Sequence, residues 1–263
     1  MELIGYLASA LIGISLGLIG GGGSILTVPV LVYLFDVDAV SATSYSLFIV
    51  GTTSLVGAAR NYMKQQVNVK TALLFGISSV ATVFVTRKFI VSAVPATLFT
   101  VNGLTVTKQL ATLVLFALLM LAASTSMIRD RKTDATSAKP TATTGKLAGY
   151  GILIGLVTGF LGAGGGFLLI PALVLLLQLP MKEAVGTSLL IIAMNSLVGF
   201  AGDSGNYAIN WQLLLTITAI AVAGIFAGIF LAQHIPGSKL KKGFGWFVLI
   251  MGIYILVKEL YIN

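Results

Sequence analysis

Gly20-Gly21-Gly22-Gly23 interrupts an apolar run from Leu3 to Phe35, and Gly162-Ala163-Gly164-Gly165-Gly166 interrupts a second from Leu147 to Leu179. At about 1.5 Å per residue, a continuous helix over either run would approach 50 Å. The hydrocarbon core of a bilayer is only about 30 Å thick. Consecutive glycines also cost a helix up to about 1 kcal/mol each relative to Ala. Each run therefore predicts two helices joined by a break.

Around these breaks the chain is very apolar. Of 263 residues, 57% are hydrophobic and 9% charged, with a mean hydropathy of +1.02. Soluble domains carry about a quarter charged residues, so the class is integral membrane protein. The apolar runs are continuous over about twenty residues, not alternating, so the spans are helical and not those of a β-barrel. Three simpler spans are predicted near 40–59, 69–94 and 108–127, and three more near 182–201, 210–234 and 240–260. Between the sets, Arg129-Asp130-Arg131-Lys132 opens a polar stretch that ends at Lys146. The expected organisation is a first transmembrane repeat over 1–128, a flexible linker over 129–146 and a second repeat over 147–263.

Composition also excludes chemistry. There is no Cys and a single His, His234. Disulfide frameworks, thiolate metal sites and His-based triads are out, and no cofactor is expected. His234 precedes Ile235-Pro236-Gly237 and reads as helix-terminal or interfacial. The N-terminus has no basic region, so no cleaved signal peptide is expected, although Ala8-Ser9-Ala10 imitates a cleavage pattern. The net charge of +8 sits mostly in short loops. It is read as a topology signal and not as a nucleic-acid surface.

A shift of 142 positions aligns the two halves without a gap. Gly17 falls on Gly159, Gly20 on Gly162, Gly22 on Gly164, Gly23 on Gly165, Pro29 on Pro171 and Asn68 on Asn210. Ser54-Leu55-Val56-Gly57 falls on Ser196-Leu197-Val198-Gly199, and residues 17–68 give 19 identities in 52 positions. Shared Gly, Pro and Asn in register mean duplication, and duplicated halves recur in transporters with the site at the repeat interface. If each broken run crossed once, the 16 Lys and Arg would divide 9 to 7 between the two sides. If each is a hairpin returning to its own side, they divide 12 to 4. The positive-inside rule prefers the hairpins. The expected fold is all-α, with two inverted-topology repeats, each a re-entrant helical hairpin followed by three transmembrane helices. The linker is then cytoplasmic and both termini face outward, in a multi-pass protein of the cell (inner) membrane.

Hairpins bring both breaks toward the midplane, where irregular backbone is tolerated only inside protein or beside a watery cavity. The short helices that follow start with unpaired N–H groups and a positive dipole end, and glycine lets an anion approach them. Gly20, Gly21, Gly22, Gly23 and Ser24 are candidate substrate-binding residues in the first half. Gly162, Gly164, Gly165 and Gly166 are candidates in the second. Ser44, Ser46, Thr187, Ser188 and Asn195 add polar groups on the following spans, either for solute or for bonds between helices. By contrast, Ser9, Gly13 and Gly17, like Gly151, Gly155 and Gly159, are spaced for close helix packing. Arg87 and Lys88 fall, by the repeat offset, on Ile229 and Phe230 inside a span. One reading is snorkelling toward the helix end near Pro95; the other makes Arg87 a gate for an anion. Trp211 and Trp246 read as interfacial anchors. Acidic residues stay at span edges, Asp203 among them, so no buried carboxylate relay is expected.

The Gly162–Gly166 phrase with Pro171, followed by Ala184-Val185-Gly186-Thr187-Ser188, resembles the TauE/SafE sulfite exporter family. The resemblance covers essentially the whole chain. The first half departs from it, with Ser24 at the last glycine and Ser44-Tyr45 in place of Gly-Thr. The resemblance implies transport of sulfite, sulfonates or related organosulfur anions. The expected protein is thus a secondary transporter, an exporter of such a small anion, with the bilayer as its other partner and no nucleic acid. The rivals are a carrier of a different carboxylate or inorganic anion and a membrane-embedded enzyme or assembly factor. The missing catalytic constellation speaks against an enzyme. The sequence assigns no oligomeric state.

Overall fold

A computed structural model describes residues 2–21, 23–91, 93–95, 97–101, 104–128, 144–161, 166, 169–170, 173, 177, 179–203 and 209–259. In the first half, α1 (Glu2–Ile19) and α2 (Gly23–Leu34) flank the first break. They are followed by α3 (Ala39–Met63), α4 (Val69–Val85), a π-helical continuation (Thr86–Val91) and α5 (Lys108–Ile128). The second half supplies α6 (Thr144–Leu161), α7 (Met181–Asp203), α8 (Trp211–Ala232) and α9 (Gly237–Val257). The helix expected after the second break lies largely outside the described residues, as does linker segment 129–143. Among the described residues four helices are long and apolar enough to cross a membrane: Ala39–Met63, Val69–Val91, Lys182–Asp203 and Trp211–Ala232.

One departure from an all-helical chain precedes α5. Strands β1 (Thr97–Val101) and β2 (Leu104–Thr107) form an antiparallel hairpin that pairs Thr97 with Thr107 and Val101 with Leu104. The β-branched and aromatic residues there favour strand, and the intervening sequence, Asn102-Gly103, is the pair preferred in two-residue hairpin loops.

The first broken run folds back on itself. The Phe35 ring lies against Gly5 and stacks on Tyr6 at the start of α1, while Gly23 at the start of α2 lies against Ile12 and Leu16. The two helices therefore run antiparallel. Shared asparagines then start equivalent helices. Asn68 Oδ1 accepts from the Thr71 N–H at the head of α4, and Asn210 Oδ1 accepts from the Leu213 N–H at the head of α8. Each satisfies one of the donors that a helix start leaves unpaired.

The halves interlock, with α1 on α8, α4 on α6, α3 on α7 and α5 on α9. The small-residue ladders make the first two contacts. A side chain at Gly13 or Gly17 would strike the backbone at Ala221 or Ile225. One at Gly155 or Gly159 would strike the carbonyls of Ser79 or Val83. Ala221 and Ile225 are the repeat-mates of Ser79 and Val83, so the duplication extends to individual contacts. In the centre α3 and α7 run antiparallel. The α3 start at Thr43 and Ser44 meets the α7 end at Asp203, Gly51 meets Leu197, and Asn61 meets Gly186. Apolar side chains such as Leu3, Leu7, Leu11, Ile77, Ile152, Leu153 and Ile250 cover the outside, as a hydrocarbon solvent requires.

Candidate functional site

The two breaks touch. Gly20 has a left-handed φ of +79°, which glycine adopts without steric cost, and it faces Val185 and Ser188 of α7. Next to it, Gly21 lies against the backbone of Gly166, and a Cβ on either residue would overlap the other's main chain. Gly166 also faces Ile192, the middle residue of α7, so the contact sits halfway along that helix. Gly22, Gly162, Gly164 and Gly165 lie outside the described residues.

The other candidates divide among four places. Ser24 and Ser188 stay near the breaks, but each hydroxyl donates to a local carbonyl, Ser24 to Gly21 O at 2.8 Å and Ser188 to Val185 O at 2.8 Å. Gly23 supports the α1–α2 hairpin. Thr187 Oγ1 accepts from the Asn68 N–H at 2.9 Å, beside an Asn68–Glu183 bond of 2.9 Å, and so braces the α3–α4 connection. Ser44, near the start of α3, lies beside Asp203 at the opposite end of α7. Asn195 Nδ2 donates to Ser79 Oγ at 2.7 Å, joining α7 to α4.

Buried polar atoms without a hydrogen bond concentrate on the repeat-mates α3 and α7. Among the described residues they include Ser46 Oγ, Thr53 Oγ1, Ser54 Oγ, Asn195 Oδ1 and Ser196 Oγ. Elsewhere in the chain Ser9, Thr27, Thr82 and Thr218 bond the carbonyl four residues back, the usual solution for a buried helical hydroxyl. An unmade bond at a buried polar atom costs about 1–3 kcal/mol. Ser54 and Ser196 join the candidates on this ground; their identity across the repeat was the available sequence signal.

Arg87 corrects the sequence reading. Its relative exposure is 0%, so it does not snorkel. Its guanidinium lies 3.4 Å from the Asp203 carboxylate and donates to Thr43 Oγ1 at 3.1 Å. Asp203, expected at a solvated edge, is only 3% exposed. The expectation concerned a relay of carboxylates, and one carboxylate paired with Arg87 does not make a relay. Arg87 lies in the π-helical turn that ends α4, a distortion frequent at functional sites. Lys108, at the start of α5, donates to the carbonyls of Val91 and Val94 beside this turn.

At the other end of α3 and α7 is a cavity of about 240 Å³. Its wall includes Gly17–Ile19 at the tip of α1, Asn61, Lys64 and Gln66 after α3, and Lys182 and Val185 of α7. Ile229 to Ile235 at the end of α8 complete it. The wall at Gly17–Ile19 leads directly to Gly20. No cluster that could hold a metal ion occurs among the described residues.

The sequence resembles proteins described as membrane transporters. The family model described as Sulfite exporter TauE/SafE matches residues 5–255. A "Probable membrane transporter protein" of Xylella fastidiosa strain Temecula1 is 30% identical over 259 residues, covering 95% of this chain and 92% of its own length. The "Probable membrane transporter protein YunE" of Bacillus subtilis is 31% identical over 216 residues, covering 76% of this chain and 77% of its own. "Probable membrane transporter protein YdhB" of the same organism is 26% identical over 246 residues, covering 94% and 96%. No solved structure matches the chain significantly.

Proposed function

The chain belongs to the sulfite exporter TauE/SafE family, and from that premise we propose that it is a secondary transporter exporting a small organosulfur or sulfite-like anion, bound between its two glycine breaks. The family and the names of its relatives indicate a multi-pass membrane transporter and not an enzyme. The observation that carries the finer reading is the meeting of Gly21 and Gly166 halfway along α7. Gly21 precedes the start of α2 at Gly23, where N–H groups and the dipole favour negative charge. The unbonded hydroxyls of Ser46, Thr53, Ser54 and Ser196 are further donors for an oxoanion on the two repeat-mate helices.

Antiparallel α3 and α7, being repeat-mates, support inverted repeats over 1–128 and 147–263. The 12-to-4 division of basic residues then supports a cytoplasmic linker at 129–146 and external termini in the inner membrane. A negative-inside potential drives an anion outward by about 2.3 kcal/mol per charge at 100 mV, which supports export. The test is thermal unfolding of the purified protein with sulfite, sulfonates, carboxylates and inorganic anions. Stabilisation by sulfite or a sulfonate is expected. Stabilisation by a carboxylate alone would replace the substrate class, and no shift with any anion would sink the reading. Reporter fusions near Ala138 test topology and should report the cytoplasm.

A further inference from the structure

The two ends of the α3–α7 pair are repeat-equivalent in sequence and opposite in state. Arg87, Asp203 and Thr43, which meet at one end, have as repeat-mates Ile229, Asn61 and Val185 across the offset of 142 positions. All three of those residues line the cavity at the other end. Thr43 and Asn61 are eighteen residues apart on α3, about 27 Å along the helix axis. That nearly spans the hydrocarbon core of about 30 Å. One face of the protein thus has an open cavity where the other has a buried ion pair.

We propose that the cavity is the open access site for the anion, with Lys64 and Lys182 drawing it toward Gly20, and that the Arg87–Asp203 pair is the closed gate at the equivalent place on the opposite face. This deepens the reading of the chain as an anion transporter and rests on it. The asymmetry has a chemical basis. Asn61 spends its amide on Gly57 O at 2.9 Å, and Ile229 offers it no charge, so no ion pair can close that end. Lys64 and Lys182 are exposed on the rim, and a cleft lined by one sign of charge concentrates ions of the other. At the closed end Asp203 neutralises Arg87, and Thr43 of α3 accepts a hydrogen bond from the guanidinium. Opening there requires α3 and α7 to part from the π-helical turn that carries Arg87.

The natural absence of cysteine makes a labelling test direct. In proteoliposomes, Ala232→Cys on the cavity wall should react with membrane-impermeant thiol reagents, and Thr43→Cys at the gate should react at least about tenfold more slowly. Adding Asp203→Asn, or Arg87→Gln as a second way to break the pair, should speed labelling at Thr43→Cys and slow it at Ala232→Cys. Equal labelling of the two sites in the unaltered background overturns the proposal. So does labelling that neither pair-breaking variant changes. A second measurement does not depend on the folding of those variants. Lys64→Gln with Lys182→Gln should slow the reaction of Ala232→Cys with a sulfonate-bearing methanethiosulfonate and not with its trimethylammonium counterpart. An unchanged ratio of the two rates overturns the access site. Because no transported solute is involved, these results stand apart from the anion panel that tests the substrate reading.

Discussion

The helix contacts α1–α8 and α4–α6 are built alike, whereas the two ends of α3 and α7 are not. In the first case the same positions meet in each half, Gly13 with Ala221 and Gly155 with Ser79. Even here the partners differ in size, since Gly224 and Gly228 of α8 correspond to Thr82 and Thr86 opposite α6. Close backbone approach leaves little freedom to change, because a Cβ would collide with main chain. At the helix ends, by contrast, one copy has Arg87 and Asp203 where the other has Ile229 and Asn61. Packing preserves the repeat, and charge breaks it.

The largest expected effect separates Asp203 from its repeat-mate. Asp203→Ala leaves Arg87 buried without its carboxylate and should cost about 3–5 kcal/mol of stability. Asn61→Ala removes one bond to Gly57 O and should cost about 1 kcal/mol. Denaturant unfolding of both variants in one detergent checks this, and equal costs would erase the asymmetry between the ends. At the breaks, Gly21→Ala should cost about 1–3 kcal/mol by overpacking against Gly166, with loss of sulfite transport. Gly149→Ala, with nothing within 4 Å, should be neutral or gain up to about 1 kcal/mol of helix propensity. The same unfolding assay should give equivalent losses for Gly13→Ala and Gly155→Ala, each about 1–3 kcal/mol; unequal values would show that the repeat contacts do not share their energetics. Smaller still, Asn195→Ala should lose an interhelical bond worth about 0.6 kcal/mol, read as a slight lowering of Tm. Lys64→Gln should change stability by less than about 0.5 kcal/mol while raising the concentration of sulfite needed for half-maximal transport.

The spans were legible because long apolar runs and the bilayer thickness leave few alternatives. The position of the first break was legible because glycine runs interrupt a helix, and the like packing of Gly13 and Gly155 because their small-residue spacing recurs in register. Asn68 and Asn210 turned out to share a capping role, a local effect that sequence spacing carries well. The Arg87–Asp203 pair was not legible. Its members lie 116 positions apart, and only the antiparallel run of α3 and α7, with α4 alongside, brings them together. Arg87 facing Ile229 across the repeat marked an anomaly, but the partner that removes it from solvent belongs to the other half. The β-hairpin before α5 was legible in principle from its Asn-Gly pair. It is short, and a search for spans of twenty apolar residues passes over it.

The pairing of α1 with α8 also sets the order in which the molecule can be completed. Ala221, the contact of Gly13, is made 208 residues after it. At about 5–20 residues per second that interval is roughly 10–40 s. Throughout it, the small-residue face of the first helix stands in the membrane without the partner that fits it. The growing chain must hold that face apart from other helices until α8 arrives.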